Sequence, residues 1–234
     1  MAISGGPDIV EDGLVLHLDA ADRNSYPGSG STWYDLSGNS YPGTGTTWYD
    51  LSGNGNNGTL TNGPSFSSDN AGTLVFDGTN DYINLSSLII DSYPGTISIW
   101  AKITGNAEYV FSAVTNSVNR YYILYNSSNQ LHYVRGTSYS PLVVASNLSS
   151  NRYYYMSMAY TNNTLYGYLN GEYVGSHSYV NGGSWVQNAK VGGFYTGAQN
   201  FLTGNIGMVT IHDRVLSANE VLQNYNATKG RYGL

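Results

Sequence analysis

The segment Thr96 to Lys102, TISIWAK, alternates strictly: Ile97, Ile99 and Ala101 fall on one side of an extended chain and Trp100 on the other. A period of two marks a strand whose faces meet different surroundings. The same grammar recurs along the chain. Leu14 to Leu18, Leu74 to Phe76, Tyr121 to Tyr125, Leu131 to Val134, Tyr153 to Tyr160, Leu165 to Leu169, Tyr173 to Val174 and Ile206 to His212 are short and rich in aliphatic and aromatic residues. Turn residues bound them: Asp77-Gly78 follows one, Asn126 to Gln130 joins a hairpin, and Asn170-Gly171 is a type I′ hairpin signal. Such spacing predicts an all-β fold of two antiparallel sheets packed as a sandwich. One helix is expected, from about Ala218 to Asn226. Ser217 and Glu220 match a capping box, and Val221, Leu222 and Tyr225 form an apolar stripe, placing the helix on the sandwich edge.

Composition agrees with many turns and few charges. Among 234 residues there are 29 Gly and 23 Tyr, which suits tight turns and half-buried strands. Only 10% of residues are charged, against about a quarter in typical domains, so solubility rests on Asn, Ser, Thr and Tyr hydroxyls. A net charge of −6 with no basic cluster argues against nucleic acid and anionic membrane as partners. With no cysteine, disulfides and thiolate metal sites are excluded. No apolar run approaches the roughly 20 residues of a membrane span. The start, Met1 to Pro7, lacks the basic and apolar regions of a signal peptide, so synthesis in a cytoplasm is expected. The chain reads as an N-terminal arm, 1–12, and one sandwich domain, 13–234.

A 15-residue unit occurs twice in tandem, as NSYPGSGSTWYDLSG at 24–38 and NSYPGTGTTWYDLSG at 39–53; only Ser29/Thr44 and Ser31/Thr46 differ. Two units this short do not make a solenoid. They lengthen one surface loop by duplication, or they present one binding loop twice.

Six segments in order carry a resemblance: LVLHLDA (14–20), WYDLSGNGNNGTL (48–60), LVFDGTNDYI (74–83), TISIWAK (96–102), LYGYLNGEYVG (165–175) and GNIGMVTIHDRVLSANEV (204–221). The chain resembles concanavalin A-like, laminin-G-like jelly-roll domains of the type found in tailed-phage virion proteins and bacterial surface proteins. The opening, ISGGPDIVEDGLVLHLDAADRNSYPG, is similar to phage structural proteins. The family pattern has one WYDLSGN unit. The second copy runs directly into Gly58-Thr59-Leu60, so Trp48 to Asn57 is expected at the family position and 24–38 as the extra excursion.

The chemistry-bearing residues point away from catalysis. Retaining glycosidases of this fold set two carboxylates about 5 Å apart, as Glu-x-Asp-x-x-Glu on one strand. The four glutamates here, Glu11, Glu108, Glu172 and Glu220, include no such pair. His17, His132, His177 and His212 are scattered, with no His-x-x-x-His pair and no Gly-x-Ser-x-Gly elbow. Gly53 to Gly58 matches G-x-G-x-x-G, but Thr59 to Pro64 cannot be the helix a dinucleotide site needs.

Two binding chemistries remain. Relatives of this fold bind calcium at a sandwich rim, and calcium takes six to eight oxygens from flexible loops. Asp77 and Asp81 are the first candidates and Asp50 the next; the competing role for Asp77 and Asp81 is an Asx turn that bonds its own backbone. A glycan site needs aromatic platforms, for which Trp33, Tyr34, Trp48, Tyr49, Trp185 and Tyr195 are the loop candidates. Trp48 and Leu51 are also suited to plug the end of the sandwich, which makes Trp33 and Tyr34 the exposed pair.

The resemblance implies a non-enzymatic accessory protein of a tailed-phage virion, decorating capsid, neck or tail. Its expected partners are other virion proteins in a symmetric or homo-oligomeric assembly, together with host-surface glycans held weakly. The alternative is a carbohydrate-binding, lectin-like module of a bacterial secreted or surface protein, located outside the cell.

Overall fold

The computed structural model describes residues 8–26, 33–34, 40–41, 46–85, 94–115, 119–150, 152–180, 187–194 and 199–234; residues 33, 34, 40, 41, 114, 115, 119, 187 and 188 are described by backbone alone. The strands are, in chain order, β1 (Leu14–Asp19), β2 (Trp33–Tyr34), β3 (Ser40–Tyr41), β4 (Thr47–Trp48), β5 (Gly58–Thr61), β6 (Ser65–Ser67), β7 (Thr73–Asp77), β8 (Tyr82–Leu85) and β9 (Gly95–Ile103). They continue with β10 (Glu108–Thr115), β11 (Asn119–Tyr125), β12 (Gln130–Gly136), β13 (Pro141–Ser146), β14 (Tyr154–Tyr160), β15 (Thr164–Leu169), β16 (Glu172–Ser178), β17 (Gln187–Val191) and β18 (Thr203–His212). One α-helix, α1 (Ala218–Thr228), and a 3-10 turn at Lys229–Tyr232 end the chain.

Two antiparallel sheets form a jelly-roll sandwich. The first runs β16-β15-β14-β9-β18-β7-β6, with β1 also on β18; the second runs β13-β12-β11-β10-β17-β8-β5-β4. β18 has room for both partners on one edge because β7 takes its start (Thr203 to Ile206) and β1 its end (Met208 to His212).

Alternation explains the layering. Ile97, Ile99 and Ala101 of β9 and Met156 and Met158 of β14 join Phe111, Ile123, Tyr133, Ile83 and Val191 between the sheets. Trp100 points the other way. It belongs to a second cluster with Tyr155, Met208, Val221 and Tyr232, beneath α1. The helix therefore covers the outer face of the first sheet, where an edge position was expected. Trp100 is the reason: its indole Nε1 donates to Thr228 Oγ1 (2.7 Å) and its ring stacks on Tyr232 with centroids 4.2 Å apart.

Local signals set the ends of these elements. The capping box is complete: Ser217 Oγ accepts from Glu220 N, and the Glu220 carboxylate accepts from Ser217 N. A close ion pair with Arg214 (2.6 Å) holds the Glu220 carboxyl down at about 2. Asn170 and Gly171 both have positive φ (53° and 81°), as a type I′ turn requires. Strands β5, β8, β10, β13 and β17 were not predicted from sequence. On β5, β8, β10 and β17 the outward faces carry Thr59, Asn84, Ser112 and Lys190, which hide the alternation of Leu60, Ile83, Phe111 and Ala189 inside.

Residues 8–12 of the expected arm lie against α1 and β18. Asn224 Oδ1 accepts from Val10 N, Gln223 Nε2 donates to the Asp8 carbonyl, and His212 Nε2 donates to the Val10 carbonyl.

The tandem repeat docks in a way that corrects the expectation for 24–38. The head of the first copy is in place: Ser25 and Tyr26 are buried, Asp19 N donates to Ser25 Oγ, and Tyr49 N donates to the Ser25 carbonyl. The tail of the second copy is in place too. Trp48 is fully buried between the sheets, and β4 pairs with β5. Among the described residues, the head of copy one and the tail of copy two pack together as a composite unit, each covalently continuous with the strand it packs on. The extra length lies between Tyr26 and Trp48.

Candidate functional site

The sequence candidates separate into three groups. Trp48 has 0% exposure, so its indole cannot serve as a sugar platform; it is the core plug instead. Tyr49 is half-buried against the composite loop. Trp185 and Tyr195 lie outside the described residues, as do the side chains of Trp33 and Tyr34, whose backbone pairs with Ser40 and Tyr41.

The three aspartates are engaged with their own backbone. Asp50 accepts from His17 N and Ser52 N at Oδ1, and from Ser52 Oγ and Asn56 N at Oδ2, all at 2.8–2.9 Å. The first of these bonds ties the loop 50–57 to β1, and the other three close the loop on itself. Asp77 Oδ1 accepts from Thr79 N, the Asx turn, and Asp81 Oδ2 accepts from Asp77 N. Burial pushes the Asp81 carboxyl up. Among the described residues, no three His, Cys, Asp or Glu side chains are grouped to hold a metal ion.

Two surfaces are concave or chemically unusual. The first is a cleft of about 800 Å³ whose walls include Asp8, Glu11, His17, Asp19 and Asp22. Its most enclosed carboxylate is already paired, since Asp19 receives both bonds from Arg231 Nη1 (2.7 and 2.8 Å). Burial holds His17 below the usual imidazole range, against the opposing pull of Asp19, Asp22 and Asp50. The described lining has no aromatic residue to take a sugar ring.

The second surface is the outer face of the second sheet, which α1 does not cover. Val134, Tyr122, Ser112, Lys190, Asn84 and Thr59 are register partners in succession across β12, β11, β10, β17, β8 and β5. Register partners share a face, and the alternate residues Ile123, Ala113, Ala189, Val191 and Ile83 are buried on the inner side. Around this row stand aromatic rings. Tyr109 packs on Phe194 (4.7 Å between centroids) and edge-on against Tyr122 (5.1 Å, 82°), and Tyr82 stacks on Phe201 (6.3 Å).

The loop after β17 brings these rings together. Gly192 has φ 80° and its N–H donates to the Val110 carbonyl, while Ser112 Oγ donates to the Gly193 carbonyl (2.8 Å). A side chain at Gly193 would meet Phe201 and Tyr82 at 3.2 Å, so the glycine lets the chain pass between them.

Two polar groups in this row make no hydrogen bond or ion pair among the described residues. Lys190 is only 8% exposed, and its Nζ sits 4.1 Å over the Tyr82 ring. Burial lowers its ammonium from the usual lysine range, and no carboxylate offsets that. Asn84 Oδ1 is buried and accepts no hydrogen bond among the described residues. Sequence reading missed Lys190, Asn84, Tyr82, Tyr109 and Phe194. It searched loops for aromatics, and these lie on strands or at a strand end; only Tyr195, next to Phe194, came close.

A family model described as the concanavalin A-like lectin/glucanases superfamily matches residues 77–222, a span that contains β8 through β18 and every residue of this row except Thr59. No curated protein sequence matches the chain. Among solved structures, the chain is similar to a Trypanosoma rangeli sialidase in complex with sialic acid (TM-score 0.66, 13% identity, 94% of this chain and 33% of that one). The chain thus spans about a third of the sialidase's length. It is also similar to domain 4 of AbnA, an extracellular GH43 arabinanase from Geobacillus stearothermophilus in complex with arabinotriose (TM-score 0.65, 15% identity, 92% and 100%). A third similar structure is the binding domain of Paraclostridial Mosquitocidal Protein 1 (TM-score 0.63, 16% identity, 93% and 52%). At these identities the likeness is one of fold.

Proposed function

Because the chain belongs to the concanavalin A-like lectin/glucanase superfamily, we propose that it is a carbohydrate-binding, lectin-like module that holds a glycan on the outer face of its second sheet. One observation carries the reading: half-buried Tyr82, Tyr109 and Phe194 share a face with Lys190, which has no carboxylate partner among the described residues, and with Asn84, whose Oδ1 accepts no hydrogen bond among them. Aromatic faces take the apolar face of a pyranose, and unsatisfied polar groups fix its hydroxyls. The arabinotriose-bound domain, which this chain covers along its full length, supports the choice of ligand class.

The module binds without catalysis in this reading. Its glutamates have other duties or are isolated: Glu220 caps α1, Glu108 is buried next to Thr203, and Glu11 and Glu172 are exposed on separate segments.

A glycan array tests the proposal. The wild-type protein is expected to bind, and Tyr82→Ala to lose about fivefold or more in affinity, since each well-placed ring contributes about 1 kcal/mol or more. A blank array with folded protein would end the reading.

Calcium belongs to this proposal only at the Asp77–Asp81 turn. A site there predicts a lower melting temperature after chelation, because a ligand bound only by the folded state stabilises it. Identical melts with and without chelator remove the site.

The virion reading rests on the opening sequence, ISGGPDIVEDGLVLHLDAADRNSYPG. It places the same module on a particle, where its glycan face would meet a host surface. Mass spectrometry of purified virions decides it by the presence or absence of the protein.

A further inference from the structure

On the sugar-binding reading of the outer face, Lys190 and Asn84 specify which sugar fits. They are register neighbours on β17 and β8, on one face of the sheet. Lys190 as a whole residue is 8% exposed, with its Nζ 4.1 Å from the centre of the Tyr82 ring and no carboxylate paired to it among the described residues. A partly desolvated ammonium without a counter-charge is unfavourable, and a cation–π contact compensates for only part of the lost hydration. Beside it, Asn84 Oδ1 is buried and lacks a donor.

The two deficits are complementary in kind. One needs an anion, the other a hydroxyl or amide N–H. A neutral sugar supplies the donor and leaves the ammonium unpaired. A bare inorganic anion pairs the ammonium and offers nothing flat to Tyr82 and Tyr109. A sugar acid supplies all three: a carboxylate, hydroxyl donors and an apolar ring face. The chain as a whole carries a net charge of −6, so attraction for an acid has to be local to this site.

We propose that the outer face of the second sheet recognises a carboxylate-bearing sugar, a hexuronate or a sialate, with the carboxylate on Lys190 Nζ and the ring hydroxyls toward Asn84.

The test is a matched pair of probes on the wild-type protein: an oligogalacturonate and a sialyllactose, each beside its methyl ester, with a panel of neutral glycans. Esterification removes the charge and keeps the ring and hydroxyls. The expected result is binding of at least one acid, with its ester weaker by roughly ten- to a hundredfold, the value of a charge-assisted hydrogen bond. Lys190→Gln is expected to abolish the difference between acid and ester. Since the comparison uses the wild-type chain, it decides even where that variant folds poorly. Equal binding of acid and ester, or binding of neutral glycans alone, overturns the acid-sugar assignment and leaves the lectin reading standing. Binding of no glycan overturns both.

Discussion

Replacing Trp100 with alanine is expected to lower the free energy of unfolding by about 3–5 kcal/mol, the range for emptying a large aromatic site in a packed interior. Trp100 is fully buried and belongs to two structures at once. Its backbone is part of β9, a central strand of the first sheet, while its indole is the contact surface for α1 and the C-terminal turn. It stacks on Tyr232 and Tyr225, tilts against Tyr155 and donates to Thr228. Without it the helix loses its anchor, and Val10 and Asp8, which bond to α1, lose theirs. Trp100→Phe keeps one ring for the stack while removing the indole N–H bond and part of the packed volume, so it should cost about 1–2 kcal/mol less than the alanine variant. Urea denaturation followed by far-UV circular dichroism reads both. A loss below about 1 kcal/mol for Trp100→Ala would show that the helix is not held from below.

Trp48→Ala is expected to cost a similar 3–5 kcal/mol, since this indole fills the interior between the sheets. The informative comparison is with a far larger change. Deleting 24–38, a whole 15-residue period, joins Arg23 to Asn39 and puts Ser40 and Tyr41 where Ser25 and Tyr26 now dock. The composite unit is then rebuilt from one copy, with Trp48, Asp50 and their bonds untouched. Shortening the loop between the docked halves should raise stability by about 1 kcal/mol through a smaller closure entropy. So one atom-scale truncation is severe and a fifteen-residue excision is harmless. If the deletion destabilised as much as Trp48→Ala, the first copy would have a docking site of its own.

The sandwich was legible in the sequence because burial on one face imposes a period of two. TISIWAK shows this best: the side of each residue was read correctly, Trp100 included. What Trp100 packed against was not legible, because a strand buried on both faces looks the same whether a sheet or a helix covers it. The docking of the repeat was hidden for a related reason. Two nearly identical copies give no local cue about which half of each is used, and continuity with β1 and β5 decides it. The candidate site was the least legible. Lys190 sits in QNAKV, a segment without alternating hydrophobicity, and only register with Asn84 on β8, about a hundred residues earlier, brings the two together. The aspartates were found as loop formers but had an internal explanation, since short polar side chains in tight turns bond the nearest amides first.

The central claim is that the outer face of the second sheet is the binding surface, and a titration followed by backbone amide NMR tests it most directly. With the strongest glycan from the array, the largest shift changes are predicted at Tyr82, Asn84, Ser112, Lys190 and Gly193, on β8, β10, β17 and the loop that follows. Changes concentrated instead along Asp50 to Asn57 and the walls of the acidic cleft, with β8 and β17 silent, would contradict the account.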